Sequence, residues 1–245
     1  MKHFFKQILY SIYPQTCHLC KKIIDPDGSF CHECWNELTF ITTPYCKCCG
    51  IPMPFTPCLD DDETLLCNDC LQFPPNFKSC RSAVQYSASL QKLIVGFKQH
   101  DQTYTLPIFT TWLKNLTNEI EALESYVFVP VPIHYYKMLN RHYNQAALLA
   151  KSLGKSLHLP SWLDMLIRIK HTKPQGTITL KERSKNVKNV FELNKKYEAN
   201  VKGQNIILID DVYTSGSTVK ACTKILLNSG AKNVRVLTLA RTVRQ

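Results

Sequence analysis

Asn205-Ile206-Ile207-Leu208-Ile209-Asp210-Asp211-Val212-Tyr213-Thr214-Ser215-Gly216-Ser217-Thr218-Val219 decides how the chain folds. Four consecutive apolar residues, Ile206 to Ile209, predict a buried strand of a parallel sheet. Two carboxylates, Asp210 and Asp211, stand at its carboxyl end, followed by a polar loop from Thr214 to Thr218. Val219 to Leu227 then predicts a helix, ended by Asn228-Ser229-Gly230.

Chemistry gives this order a meaning. In open α/β sheets, ligands bind at the carboxyl ends of the strands. Small residues let backbone N–H groups approach a phosphate, and the following helix N-terminus adds positive charge. Thr214, Ser215, Ser217 and Thr218 add hydroxyl donors around Gly216. Adjacent carboxylates repel a phosphate unless they face ribose hydroxyls or a ribose-bound Mg²⁺. The stretch therefore predicts a sugar phosphate, with its sugar on the acids and its phosphate in the loop. An isolated apolar-Asp-Asp run would mean no more than a strand–turn–helix with a solvated Asp pair. A P-loop is excluded, because no Gly-Lys-Ser/Thr follows a Gly-rich loop. The complete run resembles the phosphoribosyl-pyrophosphate motif of type I phosphoribosyltransferases.

Composition is that of a globular chain, 44% hydrophobic and 20% charged over 245 residues, enough for one large domain or two. The sequence has no run of 18 apolar residues, so no transmembrane helix is expected. Lys6 and Gln7 break the apolar run of the N-terminus, which argues against a signal peptide. Phe4, Phe5, Ile8, Leu9 and Ile12 instead form a helical stripe expected to dock on the protein. The formal charge of +11 is uneven. Residues 1–80 hold 6 Lys+Arg and 9 Asp+Glu, whereas residues 81–245 hold 24 and 10, so basicity belongs to the C-terminal part.

Four Cys-x-x-Cys pairs occupy the acidic part: Cys17/Cys20, Cys31/Cys34, Cys46/Cys49 and Cys67/Cys70. Each pair presents two sulfurs to one tetrahedral Zn²⁺, and neighbouring pairs complete two Cys₄ sites. Disulfides would need an oxidising compartment, and a redox motif needs one such pair rather than four in series. Eight ligating thiolates with two Zn²⁺ bring the net charge to about +7. Residues 15–72 hold few large apolar side chains, so the metal is expected to hold this part together. Cys48 offers a third sulfur beside Cys46 and Cys49, but spacing favours the latter two. Cys58 lies in a Pro-rich, acidic insertion, and Cys80 and Cys222 read as small packing residues. From Asp25 to Cys70 the one strong base is Lys47, which argues against the ribbons as the main grip on DNA.

Phe73-Pro74-Pro75 reads as a linker, giving domains at 1–78 and 79–245. Beyond it, Ser82 to Tyr86 predicts a strand. Leu90, Leu93, Ile94 and Phe97 predict a helix ending in Lys98, a solvated helix end unless family resemblance implies a phosphate or substrate role. A helix is expected over 106–123, with Pro107 in its first turn, and a strand from Tyr126 to its prolines. A loop carrying Lys137, Arg141, His142 and Asn144 follows that strand, and then a helix over 145–157. Cations and amides at a strand's carboxyl end suit a pyrophosphate, the alternative being a solvated basic loop. Leu163 to Ile169 predicts the next strand, and Val234 to Ala240 the last, with Arg241 and Arg244 in a tail. Between them, residues 168–202 hold 10 Lys+Arg against 3 Glu, a solvated face or a lid over the anion.

The double zinc ribbon comes first, then Val129-Pro130-Val131-Pro132, Arg141-x-x-Asn144-Gln145, Arg168-x₃-Thr172-x₂-Gln175-x₇-Arg183-x₂-Asn186, and last Asp210-Asp211. In this order they resemble the ComF family, which includes the competence protein ComF and GntX-like proteins. His142 and Tyr143 stand where that family typically has Gly-Phe, and the Cys49–Cys67 spacer is long. The resemblance implies an α/β fold: a type I phosphoribosyltransferase-like parallel sheet flanked by helices, preceded by a small Cys₄ double zinc ribbon. It implies that Asp210 and Asp211 contact ribose and Mg²⁺, and that Thr214, Ser215, Gly216, Ser217 and Thr218 hold the 5′-phosphate. Arg141, Asn144 and Gln145 become candidates for pyrophosphate or acceptor contacts, and Arg168, Gln175 and Arg183 for a lid.

Three functions follow as expectations. The first is a cytoplasmic competence protein for natural transformation. It would bind phosphoribosyl pyrophosphate with Mg²⁺ and handle incoming single-stranded DNA through its basic domain. The second is an active phosphoribosyltransferase on an unknown acceptor, with Lys98, Arg141 and Arg183 neutralising the leaving pyrophosphate beside Asp210 and Asp211. The third is an interaction module with a vestigial site, its ribbons docking a helicase or recombination factor.

Overall fold

The computed structural model describes residues 14–25, 28–54, 65–99, 103–133, 143–169 and 190–243. Its centre is a four-stranded, all-parallel sheet of β1 (Ser79–Gln85), β2 (Tyr126–Pro130), β5 (Asn205–Tyr213) and β6 (Asn233–Arg241), in the order β1-β6-β5-β2. The apolar run at 206–209 is the inner strand, paired with β2 on one side and β6 on the other. Alternation along it assigns the two faces. Ile207 and Ile209 pack with helices α3 (Ala88–Gln99), α4 (Leu106–Thr117) and α5 (Gln145–Leu157), through Leu93, Phe97, Leu113 and Leu149. Ile206 and Leu208 pack with helix α6 (Ser217–Asn228), through Val219, Cys222 and Leu226. Both faces are covered along Ile206 to Ile209, and polar residues begin only where pairing with β2 stops.

Short strands β3 (Leu166–Arg168) and β4 (Phe191–Leu193) pair antiparallel in a separate ribbon over the α6 side. The expected strand at 163–169 is therefore shorter and lies outside the main sheet. Leu163, Ile167 and Ile169 are exposed, so this run lacks the double burial of a sheet interior. The helix expected over 106–123 stops at Thr117, whose hydroxyl turns back to the Lys114 carbonyl at 2.6 Å. The turn that follows brings Glu119 onto Arg81 at 3.0 Å.

The cysteine-rich part carries helices α1 (His32–Asn36) and α2 (Asn68–Gln72), each opened by a cysteine cap. Lys21 and Gly50 both adopt left-handed backbone four residues after the first cysteine of their knuckle. At Gly50 a Cβ would also lie 2.4 Å from the Cys80 carbonyl oxygen, so β1 passes too close for any side chain. Segment 39–41 pairs antiparallel with the outer edge of β1: Ile41 N–H donates to Ala83 and Gln85 N–H to Thr39. Residues 160–162 cover the β2 edge by a parallel bridge, Phe128 N–H donating to Pro160 and Trp162 N–H to Phe128. Both edges of the sheet are thus closed to other strands. Phe30 and Phe40 rest on Trp112 of α4, with ring centroids 6.2 and 5.4 Å apart. Among the described residues, no helix is long and apolar enough to cross a membrane. The stripe at Phe4 to Ile12 and the acidic insertion around Cys58 lie outside the described residues.

Candidate functional site

Adjacent strands β2 and β5 send their following helices, α5 and α6, to opposite faces of the sheet. A crevice opens between their loops at such a point. β2 pairing ends at Pro130, opposite Ile209, whereas β5 continues against β6 alone to Tyr213. Asp210 and Asp211 fall on the length of β5 that β2 leaves uncovered.

The Asp211 backbone N–H donates to Asp210 Oδ1 at 2.9 Å, and the Asp211 carboxylate pairs with the Lys98 ammonium at the end of α3. Burial pushes the Asp210 carboxyl up to about 8; the neighbouring Asp211 charge adds to this, and the Asp211 N–H and Lys98 oppose it. Burial therefore favours a proton on Asp210 near neutral pH, beside the Asp211–Lys98 pair. Two hard oxygen donors at a crevice rim fit a divalent cation carried in with a phosphate ligand, and that cation would replace the Asp210 proton.

The polar loop folds over Tyr213. Gly216 is left-handed, and a Cβ there would lie 2.3 Å from the Tyr213 hydroxyl, so glycine alone fits. α6 starts at Ser217 with no side-chain cap, which leaves its first N–H groups for a ligand. Ser215 and Ser217 share a hydroxyl hydrogen bond of 2.8 Å, and Thr214 and Ser215 are exposed. Thr218 lies in the first turn.

Asn144 and Gln145 hold the opposite wall. Asn144 caps α5 by accepting from Ala146 N–H and donates to the Val131 carbonyl. Gln145 is buried and donates to the Lys98 carbonyl at 3.3 Å, and the Tyr143 hydroxyl donates to the Phe97 carbonyl at 2.6 Å. These contacts tie α5 to the end of α3 that presents Lys98. Arg168 stands on β3, its guanidinium 5.5 Å from the Phe191 ring. Arg141, Gln175 and Arg183 lie outside the described residues, as do Lys137, His134 and His142.

Arg241 departs from expectation. It belongs to β6 rather than a tail, is 4% exposed, and donates from Nη1 to the Cys49 carbonyl. Its guanidinium lies 5.1 Å from the Tyr213 ring. A cation directly after the last apolar residue of a parallel strand was a usable sign, since that position falls on the ligand rim.

The eight selected cysteines gather as two sets, Cys17, Cys20, Cys31 and Cys34, and Cys46, Cys49, Cys67 and Cys70, with the ligand atoms of each set within 4.8 Å of one another. Four sulfurs at that spacing fit tetrahedral Zn²⁺. A hydrogen bond from the Cys49 thiol, foremost, draws the Cys46 pKa down to about 4, so a thiolate is ready for metal. Cys48 stays outside the set, and Cys80 on β1 and Cys222 on α6 are fully buried in the core.

Known proteins share this arrangement. The double zinc ribbon domain family matches residues 8–71, and the phosphoribosyl transferase domain family matches residues 144–244. The chain thus joins a double zinc ribbon to a phosphoribosyltransferase-type α/β domain. It is 28% identical to Competence protein F of Haemophilus influenzae, over 87% of this chain and 91% of that one. It is likewise 28% identical to the DNA utilization protein YhgH of Escherichia coli K12, over 94% and 98%, and 26% identical to Competence protein ComFC of Bacillus subtilis, over 90% and 87%. Along most of its length the chain is thus similar to competence and DNA utilization proteins of the ComF type.

Proposed function

We propose that this chain is a ligand-gated DNA-handling protein of natural transformation, working in the cytoplasm on incoming single-stranded DNA. The supporting observation is the acid pair and hydroxyl loop set side by side at the switch point, with Lys98 drawn onto Asp211. Phosphoribosyl pyrophosphate fits them. Asp210 and Asp211 take the ribose hydroxyls, while residues 214–218 and the first turn of α6 take the 5′-phosphate. Lys98 places positive charge beside the pyrophosphate, and Mg²⁺ would neutralise charge between phosphate oxygens. Arg141 and the basic section 168–202 supply contacts to a DNA backbone, so affinity falls steeply with salt. The names of the relatives, which speak of competence and DNA utilization, agree with this role.

Calorimetric titration of the zinc-replete chain with phosphoribosyl pyrophosphate and Mg²⁺ tests the site. Saturable binding is expected, lost when Asp210→Ala and Asp211→Ala are combined. Absence of binding by the folded wild type would reduce the fold to a scaffold. Lys98 held beside the acid pair also favours a second reading, true transfer chemistry in which its charge offsets that of the leaving pyrophosphate. Pyrophosphate release dependent on an added nucleobase separates the two.

A further inference from the structure

The hydroxyl loop has a second side. Thr214 and Ser215 also line a cleft of about 610 Å³ that separates them from the second cysteine cluster, and Asp210 and Asp211 are not among its lining residues. That volume suits a molecule of nucleotide size. On the ribbon side the cleft presents Cys49, Asp69, Cys70 and Phe73, and on the sheet side Lys220 and Arg241. Phe73 is 73% exposed, an aromatic ring left in solvent at the edge of a site. Arg241 is buried with one nitrogen on the Cys49 carbonyl, and its Nε has no hydrogen-bond partner among the described residues. Lys220 lies one turn into α6, where its N–H donates to the Gly216 carbonyl.

A terminal phosphate monoester held by the loop, with its ribose on the acids, makes no use of this space. A phosphodiester does, because its second ester oxygen continues the chain away from the ribose. We infer that the hydroxyl loop also accepts an internal phosphodiester of single-stranded DNA. The nucleotide on its 5′ side then occupies the ribbon cleft, with its base on Phe73 and its own phosphate toward Lys220 and Arg241. An exposed ring across a cleft from two cations offers a stacking platform with a backbone track on the side away from Asp69, and a duplex would keep its bases from that ring. The cleft opens to solvent at Phe73, as a continuing strand requires. The inference rests on the sugar-phosphate reading and gives it a sign: phosphoribosyl pyrophosphate and the strand share the loop, so each displaces the other.

The test uses the zinc-replete full chain, a 3′-fluorescein oligothymidylate of about twelve nucleotides read by anisotropy, and calorimetry with phosphoribosyl pyrophosphate and Mg²⁺. Phe73→Ala is expected to weaken the oligonucleotide about tenfold, the size of one lost base stack. Its phosphoribosyl pyrophosphate affinity stays unchanged, and Phe73→Trp restores the strand. Lys220→Ala weakens the strand in the same direction, and excess phosphoribosyl pyrophosphate with Mg²⁺ releases it from wild type. Wild-type DNA affinity in both alanine variants, with phosphoribosyl pyrophosphate binding intact, would overturn the inference and leave the sugar-phosphate reading standing. Failure of wild type to bind phosphoribosyl pyrophosphate would remove that reading and the inference together. Zinc content measured on each variant separates loss of the platform from loss of the ribbon, and Lys220→Ala decides if Phe73→Ala sheds metal.

Discussion

The Lys98 ammonium meets the Asp211 carboxylate, so the last turn of α3 is fastened to the rim of β5. The same cation opposes the rise of the Asp210 pKa. Lys98→Met leaves Asp211 without this partner and moves the Asp210 pKa further upward. Phosphoribosyl pyrophosphate affinity is expected to fall about tenfold or more, the scale of a lost charge-assisted contact. Calorimetry on Lys98→Met beside Lys98→Arg checks this, with the arginine variant retaining more of the affinity.

Asp210 gives the fold a pH dependence. Its folded pKa, about 8, lies above the ordinary carboxyl value, so the folded state holds a proton that the unfolded chain releases. This contribution is complete below the unfolded value near 4 and is lost as pH rises to about 8. Asp210→Asn removes the dependence and is expected to melt higher than wild type at pH 8–9, by about 2–4 °C for each kcal/mol regained. Thermal melts of both proteins across this window decide it.

The same proton should appear in binding. If Mg²⁺ with phosphoribosyl pyrophosphate takes the Asp210 carboxylate, a proton leaves on binding below pH 8, and affinity strengthens as pH rises toward that value. Titrations in two buffers of different ionisation enthalpy count the released proton. Equal heats in both would place the cation elsewhere.

Gly216→Ala sets a Cβ against the Tyr213 hydroxyl and strains a left-handed residue. The expected cost is about 1–3 kcal/mol, with the phosphate loop displaced. Gly203, also left-handed but with open space around it, serves as the control: Gly203→Ala carries the backbone strain without the collision. Phosphoribosyl pyrophosphate binding should be lost in the first variant and kept in the second.

Arg241→Met removes the donor to Cys49 and is expected to speed release of one of two zinc ions to a chelator, leaving the other unchanged. A colorimetric zinc assay over time resolves the two phases.

Much of this was legible in residue order. Helix α5 begins and ends where its apolar spacing and Asn144 place it, and β5 follows from four apolar residues and two acids. The cysteine sets follow from spacing alone. β4 was missed because three residues are too few to show a period. The end of α4 was misplaced because Leu116, Ile120 and Leu123 prolong a helical rhythm past Thr117, where side-chain back-bonding and the Arg81–Glu119 pair turn the chain. The ribbon cleft was invisible for a different reason. Phe73 and Ser215 are brought together by docking of two distant segments, which no local pattern records.

The closure of β1 by cysteine-rich segments has a consequence for biogenesis. Ile41 and Thr39 occupy the hydrogen-bonding groups of Ala83 and Gln85, and the Cys48 carbonyl takes the Cys80 N–H, all from the region built round the two cysteine sets. A chain synthesised under zinc starvation leaves that row of amides and carbonyls bare, a template for strands of neighbouring chains. Chains made without zinc are therefore expected to lose monodispersity before any ligand is bound.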